Sequence, residues 1–125
     1  MVRLPDQSDG QTWLPFNVAL LDEGLRQDRP VLIDWGAEWC INCKVVEARV
    51  LFSDEGRQAF RAHNAVLLRA DVTTTNEPAQ RLNERLKGQS IPVLAIFSPR
   101  HPLRPVVLRD LYTRDRVITE LKNAR

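Results

Sequence analysis

Cys40 and Cys43 are the only cysteines of the 125-residue chain, and two residues separate them. Thiols at that spacing have three uses. They can close and open a disulfide, supply part of a zinc site, or lie inert in a core. A structural zinc ion wants four ligands, usually from a second close pair. Only His63 and His101 remain to add nitrogen, and neither lies near the thiols or the other in sequence. No metal site is expected on that count.

The flanking residues favour redox chemistry. PVLIDWGA, residues 30–37, reads as a buried strand, and a helix is expected to open at the cysteines and run to about Val50. The first N–H groups of a helix lack internal partners and carry partial positive charge. A thiolate at Cys40 gains from both, and the thiolate is the species that attacks disulfides. Cys43 sits one turn further in. Cys40 is therefore expected to attack and Cys43 to resolve the mixed disulfide.

Two acids accompany the thiols. Strand alternation puts Leu32, Asp34 and Gly36 on one face and Val31, Ile33 and Trp35 on the other. Both faces read as covered, so Asp34 is expected to be buried. Cys43, Val46, Glu47 and Val50 form an i, i+3, i+4, i+7 stripe, so Glu47 interrupts an apolar line beside the inner cysteine. A buried carboxylate raises a neighbouring thiol's pKa and can exchange its proton. The plainer alternatives are a solvated Glu47 and an Asp34 satisfied at the strand end. Trp39, just before Cys40, is either a packing residue or part of an apolar rim. Ser90-Ile91-Pro92 places a proline at the head of a strand, where it cannot donate to the ladder. Read alone, that proline is an ordinary trans one.

These residues need elements to hold them. Asn17 can cap a helix over VALLDEGLRQ, and Ser53 one over DEGRQAFRAH. AVLLRADV, 65–72, is a second strand. Thr75 or Asn76 caps a helix with Pro78 in its first turn, which Gly88 closes. PVLAIF, 92–97, is a third strand. The turn SPRHPLRP leads to a fourth, PVVLRD, as an antiparallel hairpin. Thr113 caps the last helix, with Tyr112 stapling onto Val117. Alternating helices and strands argue for an α/β fold, a mixed sheet flanked by helices on both faces.

Composition sets bounds. At 43% hydrophobic and 27% charged the chain suits one globular domain, taken as residues 13–125 behind a loose 1–12. A net charge of +2, with basic residues interleaved among acids, gives no reason to expect nucleic acid. No apolar run is long enough to span a bilayer, and MVRLPDQSDG lacks a signal-peptide core. The chain reads as a free-standing cytoplasmic protein or as a soluble domain of a longer exported or membrane one.

VLIDWGAEWCINCK resembles the active-site segment of the thioredoxin superfamily. The resemblance implies a thioredoxin fold over nearly the whole chain. It makes Asp34 the buried aspartate and Ile91-Pro92 a cis-proline loop facing the cysteines. Trp39, Ile91 and Pro92 would then bind an extended partner segment. WCINCKVVE, LFSDEG, ADVT and TWLPF together resemble the C-terminal periplasmic domains of the DsbD family of transmembrane disulfide reductases. That implies a second acid at Glu47 and an electron relay with no cofactor beyond the Cys40–Cys43 disulfide. It also implies a membrane-embedded donor domain, and a periplasmic acceptor domain serving isomerases and cytochrome c biogenesis. A monomer is expected. Ile41-Asn42 replaces the Gly-Pro of general thioredoxins, Val93 their threonine and Ser90 their glycine. A general thioredoxin and a non-catalytic binding module stay as alternatives.

Low thiol pKa values make a CxxC protein an oxidant. Asp34 and Glu47 work against the helix dipole, and Lys44 is expected to face solvent. A reducing pair is expected, nearer about −270 mV than about −120 mV.

Overall fold

The computed structural model describes residues 4–124. Five strands form one sheet in the order β1-β3-β2-β4-β5. They are β1 Leu14–Pro15, β2 Val31–Gly36, β3 Val66–Asp71, β4 Val93–Ser98 and β5 His101–Arg109. β1 and β2 both run parallel to β3, whereas β4 is antiparallel to β2 and to β5. The helices are α1 Val18–Arg26, α2 Ile41–Val46, α3 Asp54–Ala62, α4 Glu77–Arg85 and α5 Arg114–Asn123.

The alternation of β2 divides the core as its sequence requires. Leu32 packs with Val46, Leu51, Phe60, Val117 and Leu121, from the side of α2, α3 and α5. Val31, Ile33 and Trp35 pack with Leu21 and Ala79, from the side of α1 and α4. Helices thus cover both faces of a mixed sheet. Side-chain caps fix the helix starts. Asn17 accepts from Ala19 N–H, Ser53 from Gly56 N–H and Thr113 from Arg116 N–H. Tyr112 and Val117 share one cluster, as a staple requires. Asn76 caps α4 without a side-chain bond to it; its amide donates instead to Asp71 O at 3.1 Å.

Three readings need correction. The helix from the cysteines does not stay α-helical to Val50. After Val46 it widens into a π-helical turn over Glu47–Leu51, where Phe52 N–H reaches Glu47 O at 2.7 Å. β1 was not expected, because two residues carry no readable period. β5 begins at His101 inside the stretch read as a turn. Pro102 and Pro105 suggested a loop, but an edge strand tolerates missing donors.

Residues 4–12 form no helix or strand, yet they are tied down. Gln7 is buried, and its amide donates to Thr12 O at 2.6 Å and to Leu67 O at 2.8 Å.

Candidate functional site

β2 ends at Gly36, and α2 begins five residues later with Cys40 as its cap. Cys40 and Cys43 form a disulfide, with Cα atoms 5.3 Å apart. Cys40 Sγ also accepts the Cys43 N–H at 3.2 Å. The helix start thus aims a backbone donor at the outer sulfur. Cys40 is 8% exposed and Cys43 fully buried, the asymmetry that attack and resolution need.

Both acids are interior. Asp34 is 0% exposed and Glu47 7%. Neither carboxylate oxygen of Asp34 has a hydrogen-bond partner among the described residues. Burial pushes the Asp34 carboxyl well above the usual carboxylate range, the adjacent Glu47 carboxyl adds to this, and Arg69 opposes it. Glu47 stands one turn below Cys43, its N–H bonded to Cys43 O. Its Oε2 accepts from Arg69 Nε at 2.9 Å. Burial excludes the solvated Glu47.

Arg69 is the residue that the sequence reading missed. Parallel pairing of β2 with β3 sets it opposite Asp34, and Nε lies 3.9 Å from Asp34 Oδ2. Gly36 makes room for it. A Cβ there would stand 2.9 Å from Arg69 Nη2 and 3.1 Å from Glu47 Oε2. The available signal was one charge inside the apolar run AVLLRADV. Tyr112 approaches from the segment before α5. Its hydroxyl is buried without a hydrogen bond among the described residues, and its pKa is pushed well up by burial, then by Asp34 and Glu47. Lys44 lies on the surface 3.5 Å from Glu38.

The rim is apolar. Trp39 is 65% exposed, and its indole N–H donates to Thr73 O at 3.2 Å, so it is no core packing residue. Ile41 is exposed beside it. The Ile91–Pro92 bond is cis, and Ile91 packs against the cluster of Ala37, Cys40 and Cys43. The trans reading of the bare motif is corrected by this; the resemblance had it right. Asn83 Nδ2 donates to Ser90 O at 3.3 Å and Arg109 Nη1 to the same oxygen at 3.4 Å. Those two side chains hold the loop that presents Pro92. Sequence reading singled out neither, since each acts across an element boundary.

Among the described residues no group of three or more His, Cys, Asp or Glu could hold a metal ion, and no helix is long and apolar enough to cross a membrane. A disulfide at a helix start, a donor N–H at the outer sulfur and two buried carboxyls, one of them a helical turn away, suit thiol–disulfide exchange.

A family model described as thioredoxin-like matches residues 12–99. Thiol:disulfide interchange protein DsbD 1 of Pseudomonas aeruginosa is 42% identical over 82 residues, 65% of this chain and 13% of that protein. Thiol:disulfide interchange protein DsbD of Ralstonia nicotianae is 30% identical over 112 residues, 86% of this chain and 18% of that protein. The chain thus spans less than a fifth of the length of these curated relatives. Among solved structures, the oxidised C-terminal domain of Neisseria meningitidis DsbD superposes with a TM-score of 0.71 at 25% identity, covering 91% of this chain and 100% of that one. Its reduced form gives 0.69 at 26%, covering 86% and 93%.

Proposed function

As this chain belongs to the thioredoxin-like family, we propose that its thiol–disulfide exchange runs in the reducing direction, as an electron-relaying domain of the DsbD type. Residues 13–125 act as one domain. Cys40 thiolate attacks a partner disulfide, forms a mixed disulfide and releases one partner thiolate. Cys43 gives up its proton to an interior carboxylate and attacks Cys40 Sγ. The Cys40–Cys43 disulfide forms, and the second partner thiol departs. Asp34 and Glu47 are the carboxylates that handle the proton. Trp39, Ile91 and Pro92 form the rim on which an extended partner segment docks.

The observation that carries the direction is the burial of Asp34 and of Glu47, the latter one helical turn from Cys43. The dry surroundings that push the Asp34 carboxyl up also disfavour a thiolate, and thiols with higher pKa values make poorer oxidants. The DsbD likeness supports the rest. The domain works in the periplasm, as a monomeric part of an inner-membrane protein. A membrane-embedded domain of that protein supplies its electrons. A periplasmic acceptor domain takes them on towards protein disulfides, cytochrome c biogenesis included. The disulfide serves in place of a cofactor, and nucleic acid has no part.

Equilibration of the Cys40–Cys43 pair against glutathione and dithiothreitol, followed by tryptophan fluorescence, tests this. A potential at or below about −230 mV is expected. A value near about −120 mV would make the domain an oxidant and overturn the reading.

A further inference from the structure

The end of the sheet away from the disulfide carries a patch that the exchange chemistry does not use. β2 enters there at Val31, beside Phe97 of β4, and the β4–β5 hairpin turns just beyond, at Ser98 and His101. The six residues of β2 put about 20 Å between that turn and the cysteine end. No acid occurs in the sequence between Glu84 and Asp110, although the net charge of the whole chain is only +2. At the hairpin Arg100, His101, Leu103 and Arg104 are all exposed. Leu103, at 93%, is the most exposed large apolar side chain among the described residues.

Ordinary structural needs do not account for this patch. Arg61 and Lys122 stand in the last turns of α3 and α5, where a helix end favours a cation. Arg100 and Arg104 answer no helix. A cavity at the base of the hairpin, lined by Asp28, Asn64, Arg100 and Ala124, joins the ends of α1, α3 and α5 to it, and Asp28 is the one acid of that lining. An incoming strand is a poor match for the hairpin edge, because Pro102 and Pro105 lack the N–H groups that a ladder needs. A leucine that stands 93% exposed lines no groove for a partner's side chain either. A convex tip with one apolar side chain among cations suits a soft anionic interface, where arginines meet phosphates and the apolar group enters the headgroup boundary.

We propose that the tip of the β4–β5 hairpin is a docking surface for an anionic phospholipid bilayer. Arg100 and Arg104 pair with headgroup phosphates, and Leu103 inserts between them. Docked this way, the domain holds Cys40 and Trp39 away from the lipid, towards the aqueous side from which a soluble acceptor approaches. Two arginines and one leucine bind weakly, so the attachment is reversible and leaves the domain free to turn its disulfide back to a membrane-embedded donor. This rests on the reading of the domain as part of an inner-membrane protein.

The test is co-sedimentation of the full chain with vesicles of phosphatidylglycerol and phosphatidylcholine, against vesicles of phosphatidylcholine alone. Binding to the anionic vesicles is expected, and its loss in about 1 M salt, where the screening length falls to about 3 Å. One cation near such a surface is worth about fivefold in partition, so R100Q/R104Q is expected to lose about 25-fold. L103S is expected to lose about tenfold. All three side chains are exposed, so both variants should keep the wild-type near-UV circular dichroism. Spin-labelled lipid in the anionic vesicles should broaden amide resonances at 99–105 before those of Trp39 and Ile41. Equal binding to neutral vesicles, wild-type binding by R100Q/R104Q, or broadening that begins at Trp39 would overturn the proposal. Wild-type binding by L103S would leave a polyanion site in place of a bilayer one and overturn it too. Sedimentation needs no electron transfer. An oxidising potential in the glutathione titration would sink the reductase reading and leave the lipid result standing, and a chain that ignores the vesicles would leave the redox reading intact.

Discussion

The two faces of β2 are buried alike and satisfied unlike. On one, Val31, Ile33 and Trp35 are fully buried, and the Trp35 indole N–H donates to Ala79 O at 2.8 Å. On the other, Leu32 and Asp34 are equally buried, and both carboxyl oxygens of Asp34 lack a hydrogen bond among the described residues. Buried polar groups are almost always partnered, because an orphan loses its water for nothing. The α1–α4 face therefore follows the rules of a stable core. The α2–α5 face breaks one of them at Asp34, and a rule broken locally marks function rather than fold.

Emptying the satisfied face is expected to have the largest effect. W35A removes a fully buried indole and its hydrogen bond to Ala79 O. Chemical denaturation should show a loss of about 3–5 kcal/mol, the usual cost of a large aromatic truncation. The redox equilibrium of the folded protein should barely move. A large change in potential with little loss of stability would reverse the roles assigned to the two faces.

Crowding the other face comes next. G36A puts a methyl against Arg69 Nη2 and Glu47 Oε2. Overpacking of this kind costs about 1–3 kcal/mol. Here the thiol alkylation profile should shift with stability, because the displaced groups are the ones that set the thiol's field. Stability that falls while the profile stays fixed would detach Gly36 from the site.

The same contrast explains what the sequence could disclose. The cysteine pair, Asp34 and Glu47 announce themselves by local spacing, by strand alternation and by a helical stripe. Each signal lies within ten residues of the disulfide. Arg69 owes its meaning to the register of β3 against β2, a pairing across 35 positions that no local pattern encodes. Asn83 and Arg109 meet at Ser90 for the same non-local reason. The elements were legible wherever a cap or a period marked them, at Asn17, Ser53 and Thr113. They were illegible where prolines sat on an edge strand, at Pro102 and Pro105. The π-helical turn at Glu47 leaves the apolar stripe intact, so the period did not reveal it.

D34N is the gentlest perturbation, and it tells the two faces apart by pH. The folded Asp34 carboxyl is raised by burial first, and the unfolded one is not. The folded state then binds the proton more tightly. Wild-type stability is fully present below the ordinary carboxyl range and declines as pH rises through the raised folded value. The slope within that window is about 1.4 kcal/mol per pH unit. Asparagine has no such window. It inherits the cost of an unpartnered polar group, so the two proteins should match in acid and diverge in favour of D34N as pH increases. Denaturation curves at pH 4 and pH 8 check this. The amide cannot accept the Cys43 proton, so disulfide reduction at pH 8 should fall while stability gains. A variant that gains neither stability nor loses turnover would mean that Asp34 is an ordinary core residue, and the asymmetry of the two faces would carry no chemistry.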